Sequence, residues 1–167
     1  VGMTGVGKTT IGKVLSKEIK KKFIDIDLEI EKISNLKIKD FFLTYGENEF
    51  RRLEKNVLIE FIKKNSGYIV SPGAGILIDH EIKKILINNC ICVFLNIDIE
   101  LLIPRIIKNL SNRPKLSEGE LEENLKQMYI ERIKDYKKSH ITINVSKLSV
   151  SNAVSKIIKA LKKYEDQ

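Results

Sequence analysis

The chain has 167 residues, 43% of them hydrophobic and 31% charged, with a net charge of +8. That length suits one domain able to bury a core. No run of about twenty apolar residues is available to span a bilayer, and two cysteines make no disulfide framework, which fits a reducing compartment. The charge suits anionic partners. Its lysines are scattered over many segments and there is no tryptophan, so a small anionic molecule is expected as partner and nucleic acid is not.

Residues 2–10 read GMTGVGKTT, the pattern G-x-x-x-x-G-K-T with Gly2, Gly7, Lys8 and Thr9 at its fixed positions. Glycines let backbone N–H groups wrap round phosphate oxygens, and the helix that follows adds its positive end. Lys8 is expected to reach the outer phosphates and the Thr9 hydroxyl to ligate magnesium. Such a loop normally follows a strand, and the sequence starts at Val1, which points to strand residues lying upstream of it.

A helix is predicted over 8–21, then a short strand over 23–26 ending in Asp25-Ile26-Asp27. Alternation puts the two carboxylates on one face beside the loop. Asp25 is read as serving magnesium and Asp27 as accepting a proton from, or orienting, an attacking hydroxyl. Asp27 could instead cap the next helix, 27–34. Helices follow over 38–45 and 47–64, the second with Phe50, Leu53, Val57, Leu58 and Phe61 on one face. A strand over 68–71 runs into Pro72-Gly73-Ala74-Gly75. It lacks the terminal aspartate of many switch and motor NTPases, and no guanine-binding Asn-Lys-x-Asp follows, so a small-molecule kinase is favoured.

The chain continues with a helix over 79–87, a strand over 90–96 and a helix over 99–110. Cys90 and Cys92 on that strand read as core thiols, since His80 and His140 have no ligand-like spacing to them. The polar stretch SNRPKLSEGE is a candidate mobile lid over 110–118. Ser117 and Glu120 form a capping box for a long helix to Lys138. A strand over 141–145 and a helix over 149–164 complete the chain. This alternation predicts an α/β fold, a parallel sheet covered by helices on both faces, with ligands at the C-terminal strand ends.

Only five of the 30 basic residues are arginine: Arg51, Arg52, Arg105, Arg113 and Arg132. In a chain so biased to lysine, arginine can mark places that need a planar forked donor.

The phosphate loop, FIDID (residues 23–27), GENEFRRLE (46–54), PGAG, NRPKL (112–116) and ERIKDY (131–136) occur in an order and spacing that resemble the shikimate kinase family over nearly the whole chain. The resemblance implies a P-loop NTPase-type three-layer α/β/α domain over 1–167, with a central five-stranded parallel sheet whose first strand is truncated here. Residues 27–64 would form the substrate-binding helices. ATP would be held by Gly2, Met3, Thr4, Gly5, Val6, Gly7, Lys8, Thr9, Thr10 and Arg113, and Mg2+ by Thr9 and Asp25. Shikimate would be held by Asp27, Arg51, Gly73, Ala74, Gly75 and Arg132, with Lys8, Asp27 and Arg113 as the catalytic residues. Arg51 and Arg132 would grip the substrate carboxylate, and Arg113 would close over the nucleotide. The implied activity is transfer of the γ-phosphoryl group of ATP to the 3-hydroxyl of shikimate, in aromatic amino-acid biosynthesis. The implied protein is a cytoplasmic monomer, with a plastid location left open because the N-terminus looks truncated.

Two alternatives stand beside this reading: a gluconate-type kinase of the same fold, and a shikimate-kinase-like binding protein without activity. The chief departure from the family is Ala74, where three consecutive glycines are usual. If that position needs a positive φ, alanine costs about 1–3 kcal/mol. Arg52 and Arg105 are read as surface residues, though Arg105 could flank the nucleotide, and a basic residue near 146–149, Lys147, is a weak match to the adenine loop.

Overall fold

The computed structural model describes residues 1–63, 67–110 and 118–166. Arg113 and the expected lid around it, with the Ser117 cap, lie outside the described residues.

Gly7, in the left-handed conformation (φ 99), opens α1 (Lys8–Glu18), which buries Ile11 and Leu15 one turn apart. Strand β1 (Lys22–Asp25) stops at Asp25, whose carboxylate Oδ1 accepts a hydrogen bond from the Leu28 N–H and so caps α2 (Ile26–Ser34). The cap is therefore Asp25, and Asp27 sits in the first helical turn. Helix α3 (Ile38–Lys63) is broken at Gly46 (φ 79, ψ 175), a conformation open to glycine, so the two helices expected here meet at that residue. Strand β2 (Tyr68–Ser71) leads into the Pro72–Gly75 loop and a single 3-10 turn, Ile76–Ile78.

Helix α4 (His80–Asn89) is capped by Asp79, whose Oδ1 accepts from the Glu81 and Ile82 N–H groups at 2.8 and 3.0 Å. It extends two residues beyond expectation, and Cys90 closes it by donating to the Leu86 carbonyl. Strand β3 is accordingly confined to Val93–Asn96. Both cysteines thus precede the strand, Cys92 buried and Cys90 half-buried. Helices α5 (Ile99–Leu110) and α6 (Glu118–Tyr136), strand β4 (Ile141–Asn144) and helix α7 (Val150–Glu165) follow, the last capped by the Ser149 hydroxyl.

The strands pair in parallel, β1 with β2 and β3 with β4. Among the described residues these four make two two-stranded sheets. Val1 adds to the β3 edge through its ammonium, which donates to the Val93 carbonyl at 2.7 Å, and its carbonyl, which accepts from Leu95 N–H at 3.0 Å. A cavity of about 380 Å³ lies between β2 and β3, lined by Val1, Ile11, Leu15, Val70 and Val93. The register sets Asp25 beside Ser71 and Asn96 beside Asn144, so within each pair the loops after the strands open on one side, the side that carries ligands in parallel α/β sheets. No described helix is long and apolar enough to cross a membrane.

Candidate active site

The phosphate loop is held by its own chemistry. Gly2, Gly5 and Gly7 all have positive φ, at 145, 75 and 99°. At Gly2 the reason is also space, because a Cβ would lie 2.8 Å from the Leu95 carbonyl oxygen. Met3 and Val6 turn their side chains into the core, leaving Thr4, Gly5 and Thr10 exposed at the rim. The Lys8 ammonium folds back to donate to the Gly2 and Met3 carbonyls at 2.9 and 3.0 Å. Burial lowers its pKa to about 8 against the opposing pull of Asp27 and Asp25, with the Arg132 charge adding to the depression.

The Thr9 hydroxyl donates to Asp25 Oδ2 at 2.6 Å. Two oxygen donors so close, one anionic, fit a hard cation such as magnesium. Asp27 lies deeper. Its Oδ1 is buried with no hydrogen-bond partner among the described residues. Burial raises its pKa, Asp25 adds to the rise, and Lys8 and Arg51 oppose it. A partly desolvated carboxylate with a free acceptor is what a proton-taking group requires.

Facing Asp27 is a charge pair on α3. Arg51 Nη1 donates to Glu54 Oε2 at 2.7 Å, and Nη2 reaches Glu47 Oε1 at 3.2 Å. Glu54 is only 1% exposed. Burial raises its pKa while Arg51 draws it down. Glu54 was missed in the sequence reading. The signal was there, since a glutamate stands on the same helix face as Phe50, Val57 and Leu58, all of them buried.

The loop after β2 closes against this pair for reasons of space. A Cβ on Gly73 would run into Glu54 Oε1 and come within 3.3 Å of Asp27 Oδ1, while one on Gly75 would lie 2.8–2.9 Å from the Arg51 guanidinium. Among the described residues only Lys20 and Asn35 are non-glycines with positive φ. Ala74 is therefore free of the backbone strain that a left-handed position would have imposed.

From α6, Arg132 is half-buried, and its charge reaches both Lys8, lowering that pKa, and the Tyr136 phenol one turn further on. Lys8, Asp25, Asp27, Arg51, Gly73, Gly75 and Arg132 thus gather at one end of the strands. Arg113 lies outside the described residues. The 380 Å³ cavity includes neither Asp27, Arg51 nor Arg132 in its lining, so the larger hollow is not where the charged groups converge. A second cavity, of about 150 Å³, adjoins the phosphate loop, bounded by Gly5, Gly7, Thr10, Arg105, Leu148 and Ser149. Arg105, exposed on α5, borders this cavity, and the loop after β4 contributes Leu148 and Ser149 to its lining.

A family model described as shikimate kinase matches residues 4–162. The shikimate kinase of Bartonella quintana (strain Toulouse) is 34% identical over 164 residues, 98% of this chain and 77% of that protein. That of Bacillus licheniformis is 36% identical over 162 residues, covering 97% of this chain and 91% of that one. Among solved structures, shikimate kinase from Acinetobacter baumannii in complex with shikimate superimposes with a TM-score of 0.88 at 28% identity, covering 97% of this chain and 90% of that one. With a matching model over most of its length and relatives this similar end to end, the chain belongs to the shikimate kinase family.

Proposed function

We propose that this protein is a shikimate kinase, which transfers the γ-phosphoryl group of ATP to the 3-hydroxyl of shikimate and yields shikimate 3-phosphate and ADP. The observation that carries the reading is the convergence of a free buried carboxylate oxygen, Asp27 Oδ1, with Arg51 and the Gly73–Gly75 loop beside Lys8. A carboxylate-bearing alcohol matches that set. Arg51 and Arg132 hold the acid by forked hydrogen bonds, and Asp27 takes the hydroxyl proton as the oxygen bonds to phosphorus and ADP departs. Lys8 exchanges its two carbonyl partners for phosphate oxygens. Its charge, with those of the arginines, offsets the negative charge spread over the transferring group.

Thr9 and Asp25 would hold magnesium, which would offset the negative charge of the nucleotide phosphates. The 150 Å³ cavity between the phosphate loop and Ser149, with Arg105 at its edge, is the place for the nucleoside. In the same reading the protein works as a monomer in the cytoplasm. A small anionic molecule, and not nucleic acid, is its partner in this reading, which the pairing of surface lysines such as Lys32, Lys37 and Lys126 with glutamates supports.

A coupled assay of ADP release over a panel of hydroxy acids tests this. Turnover of shikimate is the expected result. Turnover of gluconate without shikimate would replace the reading with the gluconate-type one, and no turnover of any acid, with binding retained, would favour the inactive binding protein.

A further inference from the structure

Tyr136 is not among the groups assigned a task above, yet it is 1% exposed and touches three parts of the site. Its hydroxyl donates to the Ala74 carbonyl at 2.5 Å and lies 3.9 Å from Met3 Sδ in the phosphate loop. Arg132 stands one turn earlier on α6, near enough for its charge to act on the phenol. Its ring stacks on Phe94 of β3, centroids 5.1 Å apart and 23° between planes. The neighbouring Asp135 is tied to α4 by the buried Lys83, at 2.7 Å, so the end of α6 is anchored.

A phenol has one proton to give and lone pairs to accept with. The phenol's single proton goes to the Ala74 carbonyl, a stronger acceptor than a thioether. Burial keeps the phenol neutral, its pKa raised to about 12. The 74–75 peptide is trans, so pinning the Ala74 C=O also fixes the opposite direction of the Gly75 N–H. One hydroxyl therefore orients a peptide plane of the acid-binding loop.

Resting on the proposed function, we infer that the Tyr136 hydroxyl is a positioning group for the acid substrate, holding the 74–75 peptide in the arrangement that receives a carboxylate-bearing alcohol. Tyr136 does not touch the reacting atoms. It acts through the loop, so its loss should be read in acid affinity and not in nucleotide affinity.

The test is steady-state kinetics of Tyr136→Phe beside the unaltered protein, with thermal melting of both. Turnover of shikimate by the unaltered protein is the separate check on the function itself. Tyr136→Phe keeps the ring and its stacking. It is expected to raise KM for shikimate about fivefold, the scale of a lost hydrogen bond between neutral groups, with KM for ATP within about twofold. In an Arg132→Lys background the same substitution should cost clearly less, because the loop and the guanidinium hold the same acid. Phe94→Leu, which disturbs the stacking and spares the hydroxyl, should lower Tm and leave the shikimate KM within about twofold. An unchanged shikimate KM in Tyr136→Phe, an equal rise for ATP, full additivity with Arg132→Lys, or a rise in Phe94→Leu as large as in Tyr136→Phe would each overturn the inference.

Discussion

Glu54 Oε1 occupies the space into which any side chain on Gly73 would have to grow. The glycine after β2 is required by a neighbour and not by its own backbone angles, since its φ is not positive. Gly73→Ala should displace the Glu54 carboxylate and with it Arg51, raising KM for shikimate more than about tenfold while KM for ATP changes little. Glu54→Gln should loosen the same guanidinium and destabilise the fold by about 1–3 kcal/mol. Kinetics and urea denaturation of both variants check this, and an unaltered shikimate KM in both would remove the Glu54–Arg51 pair from the site.

Asp27→Asn keeps the shape of the side chain and removes its basicity. Turnover is expected to fall by about 100-fold or more, the usual contribution of a positioned base, with ATP binding by calorimetry nearly unchanged. Full turnover in this variant would mean that the hydroxyl proton leaves by another route.

Arg132→Lys retains the charge and loses the fork. The loss should amount to about 1.5–3 kcal/mol in shikimate binding and much less in ATP binding. Comparable losses for both ligands, measured by titration, would relocate Arg132 to the nucleotide.

Gly12 tests packing without chemistry. A Cβ there would lie 3.0 Å from Phe23 Cδ2 and closer still to the ring edge. Gly12→Ala should cost about 1–3 kcal/mol of stability through overpacking, offset in part by better helix propensity. Denaturant midpoints measure it.

Burial pushes the Cys92 thiol up to about 11 from its ordinary 9.0. The folded protein therefore holds that proton where the unfolded chain releases it. This contribution to stability is complete below pH 9 and is lost as pH rises towards 11. Melting curves across that window should show the decline, and a Cys92→Ala variant should show less of it. At neutral pH an alkylating reagent should label half-buried Cys90 before Cys92.

Much of this site could be read before any coordinates. The phosphate loop, the pair Asp25 and Asp27, and the arginines at 51 and 132 were visible because their residue types at those spacings serve few other purposes. The helices and strands followed from periodicity, and the largest error, a strand begun at Cys90, arose because an apolar run reads alike at a helix end and in a strand. Asp27 was placed correctly for a partly wrong reason, as β1 stops at Asp25 and the helix, not strand alternation, carries Asp27 toward the loop. Glu54 and Tyr136 escaped because their partners, Gly73 and Ala74, stand about twenty and sixty residues away along the chain. Ala74 was suspected of strain that its backbone does not have, since one letter does not tell a glycine kept for space from one kept for its angles.

The bonds from Lys8 to the carbonyls of Gly2 and Met3 set the terms on which a nucleotide arrives. The ammonium is already seated inside its own cradle. Entry of a triphosphate becomes a swap of oxygens around a cation in place, which lowers the ordering cost of binding relative to a lysine free in solvent.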